Sequence, residues 1–134
     1  MNSRWPRARR DDGFSAVELV LLTPLLMIVA FLAVQAALYM HARHVVLASA
    51  QQGARLARAE FTSDADAVAS ARNATYSYLR QLGTNIVSDP TVTVTRTGGQ
   101  ATVRVTAHAV SILPFLTLRV VETSTGPVEQ FRPR

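Results

Sequence analysis

A single carboxylate, Glu18, stands at the head of a long apolar stretch of this sequence. No residue in the range 19–40 is charged, and the next charged residue is Arg43. A charge at the centre of a bilayer costs about 2.5–3.5 kcal/mol on insertion scales, and less near the interface. A carboxylate in such surroundings is expected to seek a cation, so the chemistry of this site depends on which cation the chain supplies.

A cut between Gly13 and Phe14 would supply that cation. The new α-amino group of Phe14 would be mostly protonated at neutral pH, and Glu18 lies four residues later, one turn along the same helix face. In a helical stack of such chains, the Phe14 amine of one chain could meet Glu18 of its neighbour and set the axial register. The alternative is a glutamate at the cytosolic boundary, neutralised by Arg9 or Arg10.

The apolar stretch itself is long enough to cross a membrane as a helix. A helix rises ~1.5 Å per residue, so roughly 20 residues cover the bilayer core. Pro24 lies inside this helix and predicts a kink, because its ring clashes with the preceding turn. The polar interruptions are Thr23, Gln35 and Tyr39. Arginines crowd the chain in front of the stretch and predict a cytoplasmic N-terminus with an extracytoplasmic remainder; they are Arg4, Arg7, Arg9 and Arg10.

Three interpretations of this segment remain open from its residues. A signal anchor explains the length and the arginines. A removed secretory signal is suggested by the small residues around Gln35, with cleavage after Ala36. A leader cut after Gly13 explains Phe14 and Glu18 together, which the other two interpretations do not.

Beyond the membrane, two helices and a small sheet are predicted. The first helix continues to about Glu60, and its narrow stripe of small residues fits either packing on its own domain or a filament contact. That stripe is Val46, Ala50, Gly53, Ala54 and Ala57. Ser63 and Asp66 resemble a capping box that begins a second helix over residues 64–82, and Gly83 ends it. The apolar face of that helix is predicted as Val68, Ala71, Thr75, Tyr78, Leu79 and Leu82.

The segment around Gly98 and Gly99 alternates with period two on both sides, which predicts a β-hairpin with these glycines as its turn. Opposed residue numbers then sum to 197, so that valine meets valine and threonine meets threonine. A third strand is expected over residues 116–123, followed by a flexible tail over residues 124–134. The predicted fold class is therefore α+β, with an antiparallel sheet of about three strands.

Enzyme chemistry is not expected. The chain has no cysteine, which excludes thiolate metal sites, and no nucleophile elbow or phosphate-binding loop. His41 and His44 are three residues apart, but no acidic residue or third histidine lies near enough in sequence to complete a metal site. The net charge is +5, but the basic residues are not clustered with aromatic residues on one element. Nucleic-acid binding is therefore not expected either. No cofactor is predicted.

The stretch RARRDDGFSAVELVLLTPLL resembles the N-terminus of type IV filament subunits, and most closely the TadE-like minor pilins, or pseudopilins, of tight-adherence (Flp) pilus systems. The matching features are a basic leader, Gly13 before the cut, Glu18 as the fifth mature residue, and Pro24 near the start of an apolar helix. The segment ALYMHARHVVLASAQQGARLARAE also resembles the continuation common in that family.

This resemblance implies a single-pass protein of the cytoplasmic membrane that a prepilin peptidase cuts after Gly13. Its partners would be other pilin subunits and the pilus assembly machinery, and its role would be to prime, cap or punctuate an adhesive filament. The implied organisation is a leader (1–13), a long helix (14–60) with its span at about 19–40, an extracytoplasmic head (61–123) and the tail. The alternative is a signal-anchored extracytoplasmic binding module outside any filament.

Overall fold

The computed structural model describes residues 12–59 and 63–129, with side chains from residue 16 onward. Within these residues, two helices precede a three-stranded antiparallel sheet whose strand order is β1–β2–β3. The elements are α1 (Asp12–Arg58), α2 (Asp64–Leu82), β1 (Val87–Thr97), β2 (Gln100–Ala109) and β3 (Leu118–Pro127). This arrangement confirms the predicted α+β class. Of the predicted leader, residues 1–11 lie outside the described residues.

The chain divides into two compact units, and the division falls inside α1. The first unit ends at Val34 and the second begins at Gln35. We call residues 16–34 of α1 the exposed segment and residues 35–58 the packed segment. The second unit, from Gln35 onward, is the head.

One face of the packed segment is built from small side chains that are buried within the head. At Gly53 the helix approaches α2 closely, because a Cβ there would overlap Thr75 Oγ1 and lie 3.2 Å from the carbonyl oxygen of Ala71. Of the two interpretations of this stripe, the structure supports packing on its own domain. The buried positions are Ala42, Val45, Val46, Ser49, Ala50, Gly53, Ala54 and Ala57.

The second helix begins and ends at the residues that its capping chemistry predicts. The Asp66 amide donates to Ser63 Oγ at 3.1 Å, and the Ser63 hydroxyl donates to Asp66 Oδ2 at 2.7 Å. These bonds satisfy one of the free amides at the helix start. Gly83 follows the last helical residue, and its amide donates to the Leu79 carbonyl oxygen at 2.7 Å.

The predicted apolar face of α2 is only partly right. Its buried positions are Ala67, Ala71, Thr75 and Leu79. Leu82, which was predicted to be buried, is 47% exposed at the last residue of the helix. Tyr76, which was not predicted, packs against the core, and its hydroxyl accepts a hydrogen bond of 3.3 Å from the Val92 amide. The tyrosine therefore joins α2 to the first strand.

The hairpin has the predicted turn and register. Gly98 and Gly99 have φ angles of 62° and 74°, the left-handed values that a two-residue hairpin turn of type I′ requires at both positions. The opposed pairs include Val94 with Val103, Val92 with Val105, and Thr95 with Thr102. The valines of this face are buried in one core with the packed segment and α2.

The bounds of the outer strands differ from the prediction. Each strand extends further at one end, and β3 begins at Leu118 where residue 116 was expected. β1 starts at Val87, ahead of the alternating segment, and its register shifts between Ser88 and Thr91. β3 was expected to end at residue 123, with a flexible tail from Ser124. That expectation was wrong for residues 124–127, because β2 offers partners along its whole length and Gln100 pairs with Pro127. Residues 130–134 lie outside the described part of the chain.

Candidate membrane-anchoring and assembly site

Every residue of the exposed segment presents its side chain to the surroundings. The 19 residues from 16 to 34 are all exposed, and at ~1.5 Å per residue they extend about 28 Å, close to the thickness of a bilayer core. Among the described residues, α1 is the one helix whose length and composition would let it cross a membrane. A helical segment whose side chains are almost all apolar and are exposed on every side fits a lipid environment.

The burial pattern favours a shorter span than the predicted residues 19–40. Gln35 is only 2% exposed, and Tyr39 packs against the core of the head. These two residues therefore belong to the head although they stand in an uncharged stretch. The sequence pattern could not separate them from the span because Gln35 is flanked by apolar residues on both sides.

Glu18 lies in the exposed segment, and the backbone from Asp12 onward is helical. The spacing of Phe14 and Glu18 is therefore one helical turn, with a rise of about 6 Å between them. The side chain of Glu18 is exposed, so it is available to a group on another chain. The surroundings of the Phe14 side chain lie outside the described residues, and both the cut after Gly13 and the Phe14–Glu18 pairing stay predictions.

The hydroxyl group next to Pro24 forms its hydrogen bond within the helix. The Thr23 hydroxyl donates to the Leu19 carbonyl oxygen at 2.6 Å, which leaves no unsatisfied hydroxyl to face lipid. The helix continues through Pro24 without a break. Because proline has no amide hydrogen, the Val20 carbonyl lacks its usual helical donor. The predicted kink itself stays a prediction.

Gln35 joins the packed segment to the loop between β2 and β3, which we call the β2–β3 loop (residues 110–117). Its Oε1 accepts from the Ile112 amide at 3.0 Å and lies 3.0 Å from Ser111 Oγ, while its Nε2 donates to the Val110 carbonyl oxygen at 3.3 Å. A buried amide with all these partners is a structural element of the head. The sequence pattern predicted Gln35 as a polar interruption of the span and as part of a cleavage site. The one sequence signal for its role in the head is that it is a lone amide in an uncharged stretch.

An ion pair on the surface of the head joins the packed segment to β3. Arg43 Nε lies 2.6 Å from Glu122 Oε1, and this hydrogen bond raises the pKa of Arg43. His41 and His44 are exposed on the same helix. Among the described residues, no group of three or more potential ligands could hold a metal ion.

Comparison with known proteins finds a match in the part of the chain that contains Glu18 and the exposed segment. The sequence model of the family described as TadE-like protein matches residues 13–55, about a third of the chain. That range begins at the predicted cut, includes Glu18 and the exposed segment, and ends in the packed segment. The match confirms the resemblance of this region to TadE-like proteins. No curated protein and no solved structure matches the chain.

Proposed function

We propose that this protein is a minor pilin, or pseudopilin, of a tight-adherence (Flp) type IV pilus, held in the cytoplasmic membrane before it joins the filament. The observation that carries the proposal is the exposed segment with Glu18 near its start, inside the region that matches the TadE-like family. Its N-terminus would lie in the cytoplasm and its head outside, in the orientation that the arginine-rich start predicts.

The assembly step follows from the charge at Glu18. Once a prepilin peptidase has cut after Gly13, the Phe14 amine of one subunit pairs with Glu18 of the next. A charge pair in a low-dielectric surrounding is much stronger than one in water, and an unpaired carboxylate there is costly. Only the axial stagger that brings the two groups together avoids that cost, and the pair therefore sets the register of the assembly.

The head contributes little of the apolar packing between subunits. Its stripe of small residues is already used within the head, against α2 and the sheet. The exposed segment is therefore the surface that packs against other pilin subunits, and the head is left to prime, cap or decorate the filament and to contact an adhesion target.

A secreted soluble head, cut after Ala36, fits the structure poorly. Such a cut would remove Gln35, whose amide makes hydrogen bonds to Val110 and Ile112. The head would lose a buried partner of its β2–β3 loop.

The first experiment determines the mature N-terminus by mass spectrometry of the protein purified from its native membrane. A chain that begins at Phe14, with or without a methylated amine, is the expected result. A chain that begins at Met1 would favour the signal-anchored binding module, and one that begins at Ala37 would favour the secreted domain.

The second experiment measures incorporation of Glu18→Gln into sheared filaments. We expect a loss of at least about tenfold, since the variant keeps the size of the side chain and removes its charge. Glu129→Gln is the matched control, because Glu129 is an exposed glutamate at the end of the head. Unchanged incorporation of Glu18→Gln would remove the proposed register role.

A further inference from the structure

The β2–β3 loop carries an exposed apolar surface that the fold of the head does not use. Phe115 is 83% exposed, more than any other large apolar side chain in the described part of the chain, and Ile112 is 44% exposed. No residue of the loop is charged. Apolar side chains presented together on a small domain generally mark a surface that binds something.

This loop is held in place rather than free. Its start is bonded to Gln35 through Val110 and Ile112, and a turn is closed by a 3.0 Å bond from the Leu116 amide to the Leu113 carbonyl oxygen. The residue that holds the start of the loop, Gln35, lies at a boundary of the chain. Gln35 is the residue that directly follows the exposed segment, which the TadE-like resemblance and its apolar length assign to the membrane.

We propose that the β2–β3 loop is a second membrane contact, which inserts Phe115 and Ile112 into the interfacial region of the bilayer on the extracytoplasmic side. The loop is connected to the end of the membrane segment, and this connection indicates that lipid, and not another protein, covers its apolar side chains. The loop is bonded to the first residue after the membrane segment, and a span that ends at Val34 places Gln35 at the level of the headgroups. Aromatic and aliphatic side chains of a loop that carries no charged residue favour that boundary.

The charges around the loop agree with this assignment. Arg119 is exposed two residues after the loop ends, where a guanidinium can reach anionic headgroups. The nearest acidic residue before the loop in sequence is Asp89, and the nearest one after it is Glu122. Glu122 is already paired with Arg43, which reduces the repulsion between this end of the head and an anionic surface. The inference rests on the membrane anchor of the proposed function and does not depend on any role in a filament.

The test uses the full-length protein in vesicles of phosphatidylethanolamine and phosphatidylglycerol that carry a nitroxide quencher near the glycerol end of an acyl chain. The native Trp5 is replaced by phenylalanine in every variant, and a single tryptophan is introduced as Phe115→Trp. The matched control is Thr97→Trp, an exposed site beside the hairpin turn. That turn lies at the end of the head where α1 ends. The Val128 amide donates to the Gly99 carbonyl oxygen, and the next amide, that of Glu129, donates to the Arg58 carbonyl oxygen. Arg58 is about 35 Å along α1 from Gln35.

We expect the tryptophan at position 115 to emit at a shorter wavelength and to be quenched about threefold more strongly than the one at position 97, at every protein-to-lipid ratio. Equal quenching at the two sites would overturn the inference. So would a blue shift at position 115 that grows with protein density without lipid quenching, because it would show that a second copy of the chain covers the loop.

A second variant tests the attachment. Gln35→Leu, combined with Phe115→Trp, should lower the quenching by releasing the loop from the residue next to the span; unchanged quenching would contradict the role given to Gln35. Flotation of the vesicles is scored separately. Protein that does not float would show failure of the anchor itself, whereas floating protein without quenching at position 115 would show failure of the loop contact alone.

Discussion

The exposed and packed segments of α1 are parts of one helix that use apolar side chains of different sizes in different ways. The exposed segment carries bulky residues on all sides, and Leu19, Leu26 and Phe31 are each about half exposed or more. The packed segment confines its apolar residues to one face and makes them small, with Ala50 and Gly53 fully covered by the head. Charged residues such as Arg43 occupy its other face.

This difference shows how one helix can serve two surroundings. A protein neighbour with its own backbone can approach closely only where side chains are short, and Gly53 permits that approach to α2. Lipid chains have no such requirement and fill the space around bulky side chains on every face. Side-chain size and its angular distribution therefore distinguish the two segments, in addition to their difference in charge.

The sharpest way to break this comparison is to make the same change in both segments. Ala50→Leu should lower the free energy of unfolding of the head by about 3 kcal/mol, because the added atoms have no space in a packed core. Ala30→Leu, at an exposed position of the same helix, should leave the head unchanged within about 0.5 kcal/mol. The measurement is urea unfolding in detergent micelles in a Trp5→Phe background, followed by tyrosine fluorescence. Equal effects of the two changes would show that the segments do not differ as described.

A second prediction concerns the contact between α1 and α2. Gly53→Ala should destabilise the head by about 2 kcal/mol, since the new Cβ overlaps Thr75 Oγ1 and this overpacking outweighs the better helix propensity of alanine. Thr75→Ala removes the overlapping oxygen, so the double variant should be more stable than the sum of the single changes implies. Strict additivity in the same unfolding assay would mean that the two helices do not meet at this point.

The features that the sequence predicted are mostly local. The hairpin register follows from two glycines and a period of two, both contained in about 20 residues, and the cap at Ser63 depends on the fourth residue of the same turn. The helical spacing of Phe14 and Glu18 is local in the same sense. The α-helical repeat also placed the small stripe on one face, although it could not tell whether that face meets the head or a filament neighbour.

What the sequence could not predict depends on partners far along the chain. The bonds from Gln35 to the β2–β3 loop join residues more than 70 positions apart, so that no local pattern distinguishes Gln35 from a polar residue in a membrane span. The end of β3 was missed for the same reason. Ser124 belongs to that strand because it pairs with Val103 of β2, whereas its own neighbours in sequence suggest a tail.

A third prediction tests where the exposed segment ends and the packed segment begins. Gln35→Leu should cost about 1 kcal/mol, because the Ile112 amide and the Val110 carbonyl lose their partner while water can reach part of the loop. Gln51→Leu is the matched control, since Gln51 is exposed on the packed segment, and it should have no measurable effect. If both changes were neutral, the head would begin after Gln35, and the span could extend towards Met40 as the sequence suggested.

The smallest effect is expected at the ion pair between Arg43 and Glu122, which is an electrostatic contact of the packed segment. Arg43 is half exposed, so solvent and salt screen the pair, and Arg43→Met should lower the melting temperature by only about 1–2 °C at low salt and less at about 0.5 M salt. The exposed Arg72 provides the control variant Arg72→Met.

The pH dependence of this pair has a defined sign. The pKa of Arg43 is raised in the folded state by its hydrogen bond to Glu122, so its contribution is fully present below the unfolded-state pKa and is lost only as the pH rises through the folded-state pKa. Both values lie far above neutrality, so the difference between wild type and Arg43→Met should stay constant from about pH 6 to about pH 9. A loss of stability that was larger for Arg43→Met than for Ala50→Leu would show that charge, and not close packing, holds the packed segment to the rest of the head.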